Sequence, residues 1–220
     1  MAKVIGIIGE SGSGKTTSMR KLDPATTFYI DADKKGLSWK GWRNQYKYIQ
    51  GEPTKSNYKA TDDPEQVMGI LQLVNVNEGL RHIKTVVIDT INGVMVAEEM
   101  RNAKVQGYGK WTDLAQYVWE IFDYALSMRE DVTVIIVAHS ITDTDDNGIV
   151  FTHIRTNGRK LEKIVLESKL TTVLLADCHD GKYIFHTHAD RSSVKSPIGA
   201  FEEDEIPNDI TEVIKALEEY

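Results

Sequence analysis

The sequence predicts one α/β domain over residues 1–220: a mainly parallel β-sheet flanked by helices on both faces, with an antiparallel hairpin at one edge. Three observations predict it. The apolar runs Val4–Ile8, Val86–Ile88 and Val132–Ala138 are short and continuous, as in strands buried on both faces. Helix-periodic segments alternate with them, which is the βαβ pattern of a parallel sheet with right-handed crossovers. Two further strand-like runs, Thr171–Cys178 and Lys182–His186, are joined by Asp180-Gly181, a tight-hairpin signal.

Length and composition bound the function classes. The chain has 220 residues and a net charge of −7, which argues against a surface coated for nucleic acid but leaves room for a local basic patch. Its one cysteine, Cys178, permits no internal disulfide, so a reducing cytoplasm is expected. Cys178 closes an apolar run and reads as a buried or incidental thiol. No apolar stretch approaches the ~18 residues of a membrane span, and the first apolar run ends in a polar loop too soon for a signal peptide.

In chain order, the first strand, Val4–Ile8, runs into Gly9-Glu10-Ser11-Gly12-Ser13-Gly14-Lys15-Thr16-Thr17, which fits G-x-x-x-x-G-K-[ST]. Between a strand and a helix this pattern cradles phosphate: the glycines let backbone N–H groups turn inward around an anion. A helix over Thr16–Leu22 is expected to add its N-terminal N–H groups. Lys15 reaches the outer phosphates as a point charge, and Thr16 ligates Mg²⁺. The ligand is therefore a nucleoside triphosphate with Mg²⁺. The absence of an N-K-x-D motif disfavours GTP, leaving ATP, and the absence of L-S-G-G-Q disfavours a transporter ATPase.

Asp23-Pro24 closes that helix, and Thr27–Ile30 is a strand leading to Asp31-Ala32-Asp33. From Lys34 to Lys59 seven Lys/Arg face one acid, Glu52, so this window carries +6 and the rest of the chain −13. Trp39, Trp42, Tyr46, Tyr48 and Tyr58 are interleaved. Two readings are open for residues 34–61. Either cations track phosphates while rings stack on single-stranded DNA, with Lys35, Trp39, Trp42 and Arg43 as contacts, or the rings pack onto the domain and the lysines stay in water.

Asp63-Pro64 starts a helix whose Val67, Ile70, Leu71 and Val74 form one apolar stripe. The strand Thr85–Asp89 ends in a carboxylate placed to hold Mg²⁺ beside the phosphate loop. Because Thr27–Ile30 and a helix intervene, an additional strand between the two nucleotide elements is allowed. Val94–Val105 reads as a helix, broken at Gly107-Tyr108-Gly109, and Trp111–Met128 as a longer one. The strand Val132–Ala138 delivers His139, which either senses the γ-phosphate or caps the strand facing solvent. Residues 141–156 carry a hairpin turn at Asp145-Asp146-Asn147-Gly148. Arg159–Ser168 reads as a helix, and Asp209 caps a final one. His179, His186 and His188 are read as separate side chains, since strand positions alternate faces and no second ligand group stands out.

Short motifs beyond the loop resemble RecA-type recombinases. Tyr29-Ile30-Asp31-Ala32-Asp33 is similar to the strand whose last acid polarises the attacking water; Asp33 stands where that family has Glu. Val194-Lys195-Ser196-Pro197 with Phe201 resembles the segment that caps ATP on a neighbouring subunit. The whole chain is similar to core-only RecA-like P-loop ATPases of bacteriophages, some of which anneal single strands. The resemblance implies a RecA-like fold, ATP hydrolysis with Asp33 orienting water, Lys195 acting in trans within a homo-oligomer, and a DNA loop at residues 141–156. Alternatives are a small P-loop kinase, with Arg155 and Arg159 clamping the acceptor, and a nucleotide-dependent switch with negligible turnover.

Overall fold

The computed structural model describes residues 1–104, 109–144, 148–157, 160–188 and 191–220. Its strands are β1 (Lys3–Gly9), β2 (Thr27–Asp31), β3 (Tyr58–Ala60), β4 (Thr85–Asp89), β5 (Thr133–Thr144), β6 (Val150–Ile154), β7 (Thr172–His179), β8 (Lys182–His186) and β9 (Glu205–Pro207). Eight of them follow the order β3-β2-β4-β5-β1-β7-β8-β9, and β6 pairs with β5 off this path. From β3 to β7 every pairing is parallel; β7–β8 and β8–β9 are antiparallel. This is the mainly parallel sheet with an antiparallel edge that the sequence predicts.

The strand between β1 and β4 is β5, while β2 lies outside β4. The register sets Gly9 beside His139, and Asp89 beside both Val137 and Asp31. All of these stand at the carboxyl end of the parallel strands, where an open α/β sheet leaves a crevice.

Alternation along β1 divides the core. Val4 and Ile8 belong to one buried cluster, with α2 (Pro64–Val76), α3 (Ile91–Arg101) and α4 (Gly109–Ser127) laid over it. Ile5 and Ile7 belong to the other, covered by Met19, Leu22 and α5 (Ile210–Ala216). Further cover on that face comes from Ala200, Phe201 and Ile206 and from residues 34–58: Leu37 and Tyr46 are buried in it, and Trp39, Trp42 and Tyr58 pack against it. The rings thus occupy the layer a helix fills elsewhere. Within residues 34–58 the helical pieces are α1 (Trp42–Gln45), a single turn, and a 3₁₀ turn at Pro53–Lys55.

Local signals set most element ends. Asp63 caps α2 by accepting from Glu65 N, with Pro64 in the first turn. Thr90 caps α3 by accepting from Gly93 N, so that helix starts at Ile91, ahead of the expected Val94. Asp209 caps α5 by accepting from Thr211 N.

Several expectations are corrected. The helix after the phosphate loop is a five-residue 3₁₀ turn, Thr17–Lys21; Pro24 lies too close for a longer helix to form before the chain must extend. The expected helix Arg159–Ser168 is two 3₁₀ turns, Leu161–Lys163 and Leu166–Lys169. The β-branched pair Ile164-Val165 separates them, and Leu161, Leu166 and Leu170 all reach the core. β5 runs past Ala138 to Thr144; Ser140–Thr144 pair with β6, and Ile141–Thr144 are exposed. β3 and β9 have no signal strong enough to be expected. The break at Gly107-Tyr108, the end of the α3 segment at Val105, the turn at Asp145-Asp146-Asn147 and Arg159 lie outside the described residues.

Candidate nucleotide-binding site

The phosphate loop leaves β1 at Gly9 and turns through Gly12 (φ 86°) and Gly14 (φ 89°), values that side-chain-bearing residues rarely adopt. Space requires glycine too: a Cβ on Gly14 would sit 2.7 Å from Tyr183 Cδ1, and one on Gly9 2.6 Å from the Ala176 carbonyl. The loop is thus pressed against β7 and β8, and Tyr183 on β8 forms one wall of a cleft of about 300 Å³. Ser11, Gly12, Lys15, Thr16, Lys35 and His139 also line it. Ser13 is buried beneath the loop and Glu10 is exposed.

Lys15 is buried, and its ammonium donates to the carbonyls of Gly9 at 2.7 Å and Glu10 at 2.6 Å. Burial lowers its pKa to about 8, against the pull of Asp89. A cation so poorly solvated gains most from an anion placed in the same cleft.

The Thr16 hydroxyl donates to Asp89 Oδ2 at 2.7 Å, and the Tyr29 hydroxyl donates to the same oxygen at 2.6 Å. Burial raises the Asp89 carboxyl, and these two donors and Lys35 oppose it. Its other oxygen, Oδ1, is buried without a partner among the described residues. An unpaired buried carboxylate oxygen costs free energy unless something satisfies it. Thr16 and Asp89 offer only hard oxygen donors at the mouth of a phosphate loop, which fits Mg²⁺ and its waters.

Asp33, expected to orient the attacking water, and His139, read as a γ-phosphate sensor or a strand cap, both stand at this end of the sheet. Asp33 Oδ1 accepts from Thr90 Oγ1 at 2.8 Å, and Oδ2 accepts from Lys35 Nζ at 2.6 Å. The His139 backbone N–H donates to Asn92 Oδ1 at 2.7 Å. Its imidazole is held below its ordinary pKa by burial first and then by Lys15, so it is neutral at pH 7. Lys35 and His139 also line an adjoining cleft of about 570 Å³ with Asp33, Asn92 and Gly93.

Lys195 does not join them. Its backbone bridges Val173 on β7, and Val173 is level with Gly6 on β1. Three strand residues, roughly 10 Å, separate that level from Gly9.

The nucleic-acid candidates separate. Lys35 belongs to the nucleotide clefts. The Trp39 indole donates to Gln45 Oε1, and its ring meets Tyr29 and Tyr46 edge-on with centroids 6.3 and 6.1 Å away. The Trp42 ring lies 5.2 Å from that of Tyr58, and the Arg43 guanidinium covers it at 4.7 Å. Lys40, Arg43, Lys47 and Lys55 remain exposed, as does the ring of Tyr48.

Tyr29, Thr90, Asn92, Tyr183 and the nucleotide-side placement of Lys35 are not legible in the sequence, because each acts across a strand pairing rather than within a motif. Asp31, by contrast, is structural: its Oδ2 accepts from Gly36 N and Tyr58 Oη, both at 2.7 Å, fastening the 34–58 segment to β2.

Among the described residues, no helix is long and apolar enough to cross a membrane. No curated protein matches the chain. Residues 1–194 match the family model AAA_24, described as an AAA domain. With its phosphate loop, Thr16–Asp89 pair and mostly parallel sheet, the chain belongs to this AAA-domain family of P-loop, ATPase-type nucleotide-binding proteins.

Proposed function

We propose that the chain is a Mg·ATP-hydrolysing bacteriophage recombination protein that acts on single-stranded DNA as a homo-oligomer in the cytoplasm of a bacterial host. The observation that carries the ATP half is Asp89, whose Oδ2 accepts from Thr16 Oγ1 and whose buried Oδ1 has no partner among the described residues, beside the poorly solvated Lys15. Lys15 and the loop amides hold the polyphosphate, and Thr16 and Asp89 hold Mg²⁺, which neutralises charge on the transferred phosphoryl group. Asp33 orients the attacking water once Lys35 leaves its Oδ2 for the phosphates, and His139, neutral, senses the γ-phosphate.

The strand-binding half is supported by charge segregation. Lys40, Arg43 and Lys47 stay at the surface although most of the neighbouring rings turn inward. The β5–β6 ribbon adds the exposed Ile141, Val150 and Phe151, side chains able to stack or wedge against bases. Contact through surface cations makes binding strongly salt-dependent. The oligomer is supported by Lys195, which has a place in the chemistry only at a neighbour's site.

Phosphate release measured with and without single-stranded DNA tests the reading. Stimulation by the strand is expected. Transfer of phosphate to a nucleoside monophosphate would make the protein a kinase instead. ATP binding with neither activity would make it a switch.

A further inference from the structure

The outer face of the edge hairpin carries a second group of ligating side chains. In the β7–β8 pairing Asp177 opposes Ile184, Leu175 opposes His186, and His179 opposes Lys182. Directly opposed residues share a face, so Asp177, His179 and His186 project together, and Glu205 joins them opposite His186 through β9. Ala176 and Phe185 point the other way, into the core, and Cys178 follows their parity, away from the group. The reading of the histidines as separate holds along one strand and fails across two.

The geometry is that of a ligand set. One ligand atom from each of Asp177, His179 and His186 lies within 4.8 Å of the others. Asp177 Oδ2 is 2.8 Å from His179 Nε2 and 3.3 Å from His186 Nε2. Ligand atoms around a tetrahedral ion with bonds of about 2.0–2.1 Å stand about 3.3 Å apart, so little movement is needed to admit one. The set is also oriented from behind. Asp177 Oδ1 accepts from the Cys178 backbone N–H at 2.7 Å, which turns Oδ2 toward the imidazoles. Without metal His186 Nε2–H donates to Asp177 Oδ2 at 3.3 Å; Glu205 Oε1, 3.9 Å from His186 Nδ1, stands where a carboxylate holds the Nδ1–H tautomer once a metal ion takes the place of the Nε2 proton.

We propose that Asp177, His179 and His186 bind one divalent transition-metal ion of the zinc class, with the remaining coordination open to solvent. Two imidazole nitrogens and one carboxylate suit Zn²⁺, Co²⁺ or Ni²⁺, whereas Mg²⁺ and Ca²⁺ prefer all-oxygen sets such as Thr16 and Asp89. The ion clips β7 to β8. Tyr183, on the opposite face of that hairpin, packs against Gly14, so the clip stiffens one wall of the nucleotide cleft.

The test uses the chelator-treated full chain, with Zn²⁺ titrated by calorimetry, Co²⁺ by its visible absorption, and melting followed with and without Zn²⁺. One equivalent of each metal is expected to bind, with a rise in melting temperature. His179→Ala with His186→Ala is expected to abolish all three signals, and Glu205→Gln to weaken Zn²⁺ about tenfold, as for a residue behind a ligand. His188→Ala should leave binding unchanged. His179 is exposed and His186 partly buried, so the Zn²⁺-induced shift of the double variant is read against its own metal-free melting. No saturable Zn²⁺ or Co²⁺ binding would overturn the proposal. Binding that survives in the double variant would overturn it equally.

Discussion

The Tyr29 hydroxyl donates to Asp89 Oδ2 at 2.6 Å from inside the sheet, so the carboxylate expected to face Mg²⁺ is held from below by a fully buried ring. That ring is in turn braced edge-on by Trp39 and Tyr46, with centroids 6.3 and 5.6 Å away. The aromatic residues of the 34–58 segment therefore stand behind the nucleotide site. Tyr29→Phe removes one of two donors to a buried carboxylate oxygen at an expected cost of about 1–3 kcal/mol, read by urea unfolding. The loss should grow above the pH at which Asp89 ionises, because burial raises that pKa and the Tyr29 donor opposes the rise. Unchanged stability would mean that the hydroxyl does not support Asp89.

Lys15 links nucleotide binding to pH. Its pKa near 8 in the folded chain lies below the unfolded value of about 10.4. The unfolded chain therefore holds more protons between those values, and Lys15's contribution to stability rises with pH across that window. A bound polyphosphate favours the ammonium and reverses the shift. ATP binding at pH 8.5 is expected to take up roughly half a proton or more, and at pH 6.5 close to none through this group. Calorimetry in buffers of different ionisation enthalpy measures the difference.

The phosphate loop and Asp89 are legible because each is local: a glycine pattern after one strand and a carboxylate ending another. Tyr29 is not, since the hydrophobic run Thr27–Ile30 gives no sign that one ring reaches diagonally to the neighbouring strand. Composition also leaves open which way the rings of residues 34–59 face. Packing turns Trp39, Trp42, Tyr46 and Tyr58 inward because α5 and the 3₁₀ turn leave part of that sheet face uncovered. The two 3₁₀ turns after Lys160 satisfy the same apolar spacing as the expected helix with three leucines reaching the core, so periodicity alone does not separate them.

If the exposed cations of this segment track a phosphate chain, Lys40→Glu with Lys47→Glu should weaken single-strand binding and flatten its dependence on salt by about two phosphate contacts. Neither side chain is in the core, so the fold should be unaffected. Fluorescence anisotropy over a salt series reads the slope. An unchanged slope would leave residues 34–59 only their packing role.

Lys195 gives a test of assembly. Its level on the sheet, beside Gly6 rather than Gly9, keeps it from its own phosphate loop. Lys15→Ala and Lys195→Ala subunits, each inactive alone, should partly restore phosphate release when mixed. Of the two mixed interfaces, the one that sets the Lys15→Ala subunit's Lys195 against the Lys195→Ala subunit's loop is intact. No recovery would exclude action in trans.

Calorimetric titration of the full chain with ATP and Mg²⁺, beside Lys15→Ala and Asp89→Asn, tests the nucleotide site most directly. One saturable Mg²⁺-dependent site is expected, weakened at least tenfold (about 1.4 kcal/mol) by Lys15→Ala and deprived of its Mg²⁺ dependence by Asp89→Asn. Absence of saturable binding, or equal affinity in Lys15→Ala, would contradict the account.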